Sequence, residues 1–205
     1  MSPIHRRLVI VAALMLSLSV PALAQQSVAV GPDDMVIGNP FAKVTVFEYA
    51  SLSCPHCAAW NQEVWPAFKA KYVDTGKVRY VFREFITSPP QLAAAGSLLA
   101  RCAGKDKYFS VIDQVFRAQG EIYRTSDMRG PLIAIAAKAG LNEDQLIACI
   151  SDEKAVAALN ARVERWVKDE DIQATPTFVV NGNKLQGEQP LAALDAAIAA
   201  AQAWK

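Results

Sequence analysis

Histidine, net charge and long apolar runs are all scarce in this sequence. Its 205 residues hold only His5 and His56, which leaves an imidazole-built metal centre little to draw on. Lys and Arg total 21 against 20 Asp and Glu, a net of +1, with no run of five or more like charges. Neutralising phosphates takes a basic surface, so the balance argues against nucleic-acid binding. Beyond Val20 no stretch approaches the ~18 apolar residues of a spanning helix, so the chain after that point is expected to be soluble. What is present is ordinary globular material, 52% hydrophobic and 20% charged, unlike a disordered tail or a coiled coil.

The first 24 residues read as an export signal. His5, Arg6 and Arg7 form a basic start, Leu8 to Val20 is mostly apolar, and Ala22-Leu23-Ala24 offers the small residues that a signal peptidase accepts. Cleavage is expected after Ala24, leaving residues 25–205 as one domain; a retained anchor is the alternative. Export carries all four cysteines, Cys54, Cys57, Cys102 and Cys149, into an oxidising compartment where thiols tend to pair.

After an irregular lead that ends at Gly38-Asn39-Pro40, Lys43 to Tyr49 reads as a β-branched and aromatic strand. Ser51 to Ser53 is a turn. Cys54 opens a helix through Ala58, Trp60, Val64, Phe68 and Tyr72, with Ser53 as its cap, Pro55 in the first turn, and a kink one turn before Pro66. Lys77 to Phe85 is a second strand. Helices are expected from Gln91 to about Asp171. The first carries Leu92, Ala95, Leu99 and Cys102 on one face, the second Tyr108, Val111, Val115 and Phe116, followed by a loop from Gly120 to Gly130. A third runs from Leu132 to Ala139, a fourth starts at a capping box of Asn142 and Gln145, and a fifth is lined by Val156, Leu159, Val163 and Val167. Thr177 to Val180, the Asn181-Gly182 turn and Lys184 to Gln186 form a hairpin, and Pro190 starts a last helix.

The chemistry gathers at Cys54-Pro55-His56-Cys57. A thiol at a helix N-terminus faces unpaired amides and the positive end of the dipole, which favour its thiolate. Cys54 is therefore expected to be exposed and nucleophilic, and Cys57, one turn in, buried and resolving. The His56 ring is placed to approach the Cys54 sulfur and stabilise the thiolate further. Two other readings of the pair are half of a zinc site and a purely structural disulfide. Glu48 shares a strand face with Val44 and Val46, which would bury it beneath the motif as a proton holder, with Arg83 as candidate counter-ion; a hydrated strand edge is the alternative. Cys102 and Cys149 lie on apolar helix faces, as a structural bridge worth about 4 kcal/mol or as two buried thiols.

Cys54-Pro55-His56-Cys57 between strand and helix, Thr175-Pro176 before a hairpin, Glu48-Tyr49-Ala50-Ser51 and the Gly38-Asn39-Pro40 lead together resemble the DsbA-type thiol:disulfide oxidoreductases. The resemblance implies an α/β, thioredoxin-like fold with an inserted helical domain at about 88–155. It makes Pro176 a cis-proline that faces the redox pair and, with Thr175, presents backbone to an extended substrate. It assigns an acid at the position of Glu48 to the buried cysteine; a second bridge in the helical block occurs in some members. The implied activity is donation of the Cys54–Cys57 disulfide to reduced or unfolded exported proteins in the periplasm. The implied agent is the cysteine pair itself, with no metal and no bound cofactor, recharged by a DsbB-type membrane quinone reductase; a monomer is favoured. A reductase or isomerase stays open, because Thr175 stands where many oxidases carry an apolar residue. A metal-binding module on the same fold is a further alternative, and Pro176 could be an ordinary trans turn proline.

Overall fold

The computed structural model describes residues 28–203; the expected signal peptide lies outside them. Five strands, β1 (Met35–Gly38), β2 (Val44–Ala50), β3 (Val78–Glu84), β4 (Thr177–Val180) and β5 (Asn183–Gln186), form one sheet in the order β1-β3-β2-β4-β5. β2 and β3 run parallel and every other pair is antiparallel. The helices are α1 (Pro55–Glu63), α2 (Trp65–Phe68), which continues into a π-helical turn at Lys69–Val73, α3 (Pro90–Cys102), α4 (Lys105–Thr125), α5 (Arg129–Lys138), α6 (Glu143–Ile150), α7 (Glu153–Asp169) and α8 (Leu191–Ala203). This is the expected α/β architecture, with α3 to α7 inserted between β3 and β4; the insertion runs past the expected end near 155, because α7 continues to Asp169.

Side-chain alternation along β2 and β3 separates two cores. Val44, Val46, Val78, Tyr80 and Phe82 face the large core with Trp60, Leu99, Val115 and Phe116. Phe47, Tyr49 and Val81 face a smaller one with Trp166, Ile172 and Val179. Parity also moves Arg83 away from its expected partner. Glu48 is in register with Phe82 and Tyr49 with Arg83, so Arg83 emerges on the sheet face opposite Glu48. There it pairs with Asp34 at 2.7 Å and Glu170 at 2.8 Å and stacks over Trp166 and Phe47.

Other departures have local causes. The lead holds a strand, β1, whose four residues carry too little pattern to show alone. Its Gly38 has φ +94, and a Cβ there would lie 2.5 Å from the Val78 carbonyl oxygen. The expected 120–130 loop is mostly helix: Gln119 and Ile122 extend the buried face of α4 past Gly120, and only 126–128 separates α4 from α5. The buried face of α7 is Leu159, Arg162 and Trp166, while Val167 is exposed. Arg162 is held near Glu84, whose partner is Arg101. Cys102 and Cys149 are bonded to each other, yet Cys102 is exposed, so the bridge joins α3 to α6 at the surface and not within the core.

Local chemistry accounts for several elements. Pro66 lacks the N–H that would continue α1, and the helix breaks at Val64. Asn142 and Gln145 cap α6 reciprocally. Asn181 and Gly182 both take the positive φ that a tight hairpin needs.

α3 touches the turn beyond β2 at one glycine. A Cβ on Gly96 would lie 2.8 Å from Leu52 Cδ1 and 3.2 Å from Val115 Cγ1. Gly96→Val is therefore expected to destabilise the chain by about 1–3 kcal/mol through overpacking. Denaturant melts of the variant beside the parent check this, and equal midpoints would show that the contact yields freely.

Candidate active site

The site grows from the turn after β2. Ser51, Leu52 and Ser53 are fully buried, and the two serine hydroxyls meet Thr87, with Ser53 Oγ donating to the Thr87 carbonyl at 3.0 Å. The Cys54 N–H donates to Ser51 O at 3.0 Å, which leaves Cys54 extended, at φ −86 and ψ 119, as the N-cap of α1. No side-chain oxygen caps this helix: Ser53, the expected cap, turns its hydroxyl to Thr87 instead. The Cys54 sulfur occupies the place of one, and the N–H groups of His56 and Cys57 point at it. Pro55 fills the first helical position, where no N–H is needed.

The two sulfurs differ sharply, and in this structure they are unbonded thiols. Cys57 is 0% exposed and Cys54 only 7%, so Cys54 is more covered than its sequence position implies. Its cover is the Thr175-Pro176 segment, whose peptide bond is cis. Cys54 Sγ donates to Thr175 O at 3.4 Å. The Cys54 thiol is pulled down to about 5, first by the Cys57 S–H and then, against the cost of burial, by the Thr175 hydroxyl and the amides of Cys57 and His56. Burial pushes the Cys57 thiol well up, and negative charge on Cys54 and Glu48 pushes it further.

Glu48 is 2% exposed, on the core face beneath the pair. Burial raises its carboxyl to about 8 against a hydrogen bond donated by Tyr80 to Oε2, and the Cys54 charge adds to the rise. Oε1 has no partner among the described residues. The His56 ring does not turn to Cys54. Its side chain is 74% exposed and its Nδ1 meets Glu188, which raises its pKa. The fold thus gathers Cys54, Cys57, Glu48, Thr175 and Pro176, while His56 offers Cys54 its backbone and faces Glu188. Sequence reading missed Tyr80 and Glu188. Strand alternation places Tyr80 on the core face, but nothing local marks Glu188, 132 residues from His56. Trp60 Nε1 fixes that distal loop to α1 by donating to Gln189 O at 3.0 Å. Among the described residues, no three His, Cys, Asp or Glu side chains are grouped to hold a metal.

The family model described as Thioredoxin matches residues 31–200. A Rickettsia conorii protein that carries the name protein-disulfide oxidoreductase is 36% identical over 154 residues, covering 75% of this chain and 55% of that protein. A Rickettsia bellii protein of the same name is 36% identical over 151 residues, covering 73% and 58%. The chain therefore spans somewhat over half the length of the curated relatives it matches. Among solved structures, alpha-DsbA1 of Wolbachia pipientis has a TM-score of 0.75 at 30% identity, covering 82% of this chain and 90% of that one. Oxidised BdbD of Bacillus subtilis, at 23% identity and a TM-score of 0.71 over 82% and 92%, shares the fold.

Glu48 makes stability depend on pH. A carboxyl held at about 8 when folded keeps its proton where the unfolded chain, titrating near 4.5, has released it. Its contribution is fully present below pH ~4.5 and is lost as the pH rises to about 8. Between those limits the reduced wild-type chain is expected to lose up to about 5 kcal/mol more than Glu48→Gln. Urea melts across the range measure the difference, and parallel curves would place a hydrated carboxylate at Glu48.

Proposed function

The chain belongs to the thioredoxin family, and from that premise we propose that it is a thiol:disulfide oxidoreductase that donates its Cys54–Cys57 disulfide to reduced exported proteins. The observation that carries this reading is the contrast between the two sulfurs at the start of α1. One lies under the cis Thr175-Pro176 segment with the amides of His56 and Cys57 aimed at it, which favours its thiolate, and the other is a thiol sealed beneath it.

In the oxidised protein a substrate thiolate attacks Cys54 Sγ. The Cys54–Cys57 bond breaks, and Cys57 leaves with the electron pair and takes up a proton. Glu48, held protonated at neutral pH close below, is the nearby donor, and it regains a proton from solvent. A second substrate thiolate then attacks the substrate sulfur of the mixed disulfide, and Cys54 leaves as the thiolate that its surroundings favour. Two electrons pass from the substrate dithiol to the cysteine pair. Thr175 and Pro176 lie over Cys54 as the edge along which an extended substrate would run, and Glu188 with His56 forms a polar rim beside it.

Direction follows from the sign of the thiolate stabilisation. The Cys54 thiolate exists only in the reduced protein, so each group that favours it makes the disulfide more oxidising. A thiol moved from 9 to about 5 stabilises the reduced form at pH 7 by about 3 kcal/mol, or roughly 60 mV. Thr175 belongs to that set, which turns the residue that kept a reductase open into support for an oxidase. The workplace is the periplasm, reached through the 1–24 signal. The recharging partner is a DsbB-type membrane quinone reductase, the cysteine pair does the work of a cofactor, and one chain supplies every group named. No helix among the described residues is long and apolar enough to cross a membrane.

Cys57→Ala is expected to accumulate mixed disulfides on Cys54 with a reduced model substrate, while Cys54→Ala accumulates almost none, as read on non-reducing gels. Equal trapping would overturn the roles. Equilibration with glutathione tests the direction: a potential as low as that of thioredoxin, about −270 mV, would make the chain a reductase. Thr175→Val is expected to raise the Cys54 pKa and move the potential roughly 15–30 mV more negative. An unchanged potential would leave the tuning to the helix terminus and Cys57.

A further inference from the structure

The turn that carries Cys54 presents three successive backbone carbonyls to α4. Gln119 Nε2 donates to Leu52 O at 3.0 Å and to Cys54 O at 3.3 Å, using both hydrogens of one amide. Tyr123 Oη donates to Ser53 O between them. Gln119 is 3% exposed and Tyr123 39%, one turn apart on the face that meets α1. Cys54 O also accepts the first helical bond of α1, from Ala58 N at 3.1 Å. The helix that supplies the clamp is itself held. Gln62 of α1 donates to Phe116 O at 3.4 Å, and Val115 packs where α3 passes at Gly96.

We propose that Gln119 and Tyr123 are positioning residues for the Cys54 sulfur, pinning the carbonyls of residues 52–54 so that the amides of His56 and Cys57 stay aimed at Sγ. The proposal deepens the oxidoreductase reading and rests on Cys54 being the attacked sulfur. Two physical effects combine. Carbonyl oxygens of residues 53 and 54 carry partial negative charge close to a sulfur that becomes negative, and a donor on each offsets that repulsion. The clamp also fixes the backbone of Cys54, and amide donors stabilise an anion only in the direction they point. The Tyr123 hydroxyl is raised further from ionisation by burial and by the Cys54 charge, so it remains a donor while Cys54, Cys57, Glu48 and His56 titrate around it. Gln119 does not titrate, which leaves the clamp unaltered across the working pH range.

The test is thiolate absorbance of the reduced chain against pH, together with glutathione equilibration, for wild type, Gln119→Leu, Tyr123→Phe and the double variant. Each single change is expected to raise the Cys54 pKa by about half to one unit and to shift the potential roughly 15–30 mV more negative, with a larger shift in the double variant. Variants that melt earlier yet keep the wild-type titration and potential would reduce the clamp to packing and overturn the proposal. Gln119→Leu leaves a buried carbonyl unpaired; if it does not fold, Tyr123→Phe, at a partly exposed position that keeps its ring, decides alone. A wild-type chain with no thiol titrating near 5 would overturn the parent reading, whereas a low wild-type value shared by the variants would overturn only the clamp.

Discussion

A sulfur sits where a helix normally finds its capping oxygen. Ser, Thr, Asp and Asn satisfy the first amides of most helices; α1 has none of them in place, and its amides converge on Cys54 Sγ. An anion is the best partner such amides can have, and the only group there that can become one is the thiol. Much of the surrounding structure follows from this constraint. Pro55 starts the helix without competing for the sulfur. Cys57 adds a side-chain donor from below and the Thr175 hydroxyl another from above, where the Thr175-Pro176 segment closes the top while leaving the sulfur at the rim.

The sheet then distributes charge by parity. On the core face beneath the sulfurs Glu48 sits among Val44, Val46 and Phe82 with the Tyr80 phenol as its partner and keeps its proton, while Glu84, further along the same face, is paired with Arg101. One residue along β2, Tyr49 opens the other face, where Arg83 has Asp34, Glu170 and the rings of Trp166 and Phe47 around it. If Arg83 stood on the first face, its charge would favour the Glu48 carboxylate and the proton held beneath Cys57 would be lost. A shift of one residue in the β2–β3 register would produce that exchange, so the register is a chemical requirement as well as a packing one.

Elements were legible in the sequence where their cause is local. The capping box at Asn142 and Gln145, the Asn181-Gly182 turn, the break ahead of Pro66 and the Cys54 helix start each depend on a few adjacent residues. β1 was not legible, because Met35 to Gly38 becomes a strand only through its ladder with β3. The buried face of α7 was misread because Arg162 and Trp166 are covered in company with Glu84, Arg101 and Arg83, all far off in the chain. At the site, Cys54, Cys57 and Glu48 could be placed from motif and alternation, and Pro176 from the family resemblance. The turn of His56 toward Glu188, and the reach of Tyr80 to Glu48, depend on pairings that no spacing records.

The site is held in place at a cost to the fold. A buried acid without a cation destabilises the folded chain above pH ~4.5, while the groups that favour the Cys54 thiolate stabilise the reduced chain and add nothing to the disulfide form. The first of these amounts to several kcal/mol against the 5–15 kcal/mol typical of a domain. The helical block supplies stability away from the reacting atoms. Leu92, Leu99, Tyr108, Val115 and Phe116 extend the core that β2 and β3 begin, and the Cys102–Cys149 bond closes a 47-residue span at the surface, a constraint worth about 4 kcal/mol in the chain-entropy model. The same block reaches back to the active turn through Gly96 at Leu52 and through Gln119 and Tyr123 at residues 52–54. Stability and tuning therefore arrive through one body of helices, and a change in its packing is transmitted to the sulfur by contact with the turn that carries it.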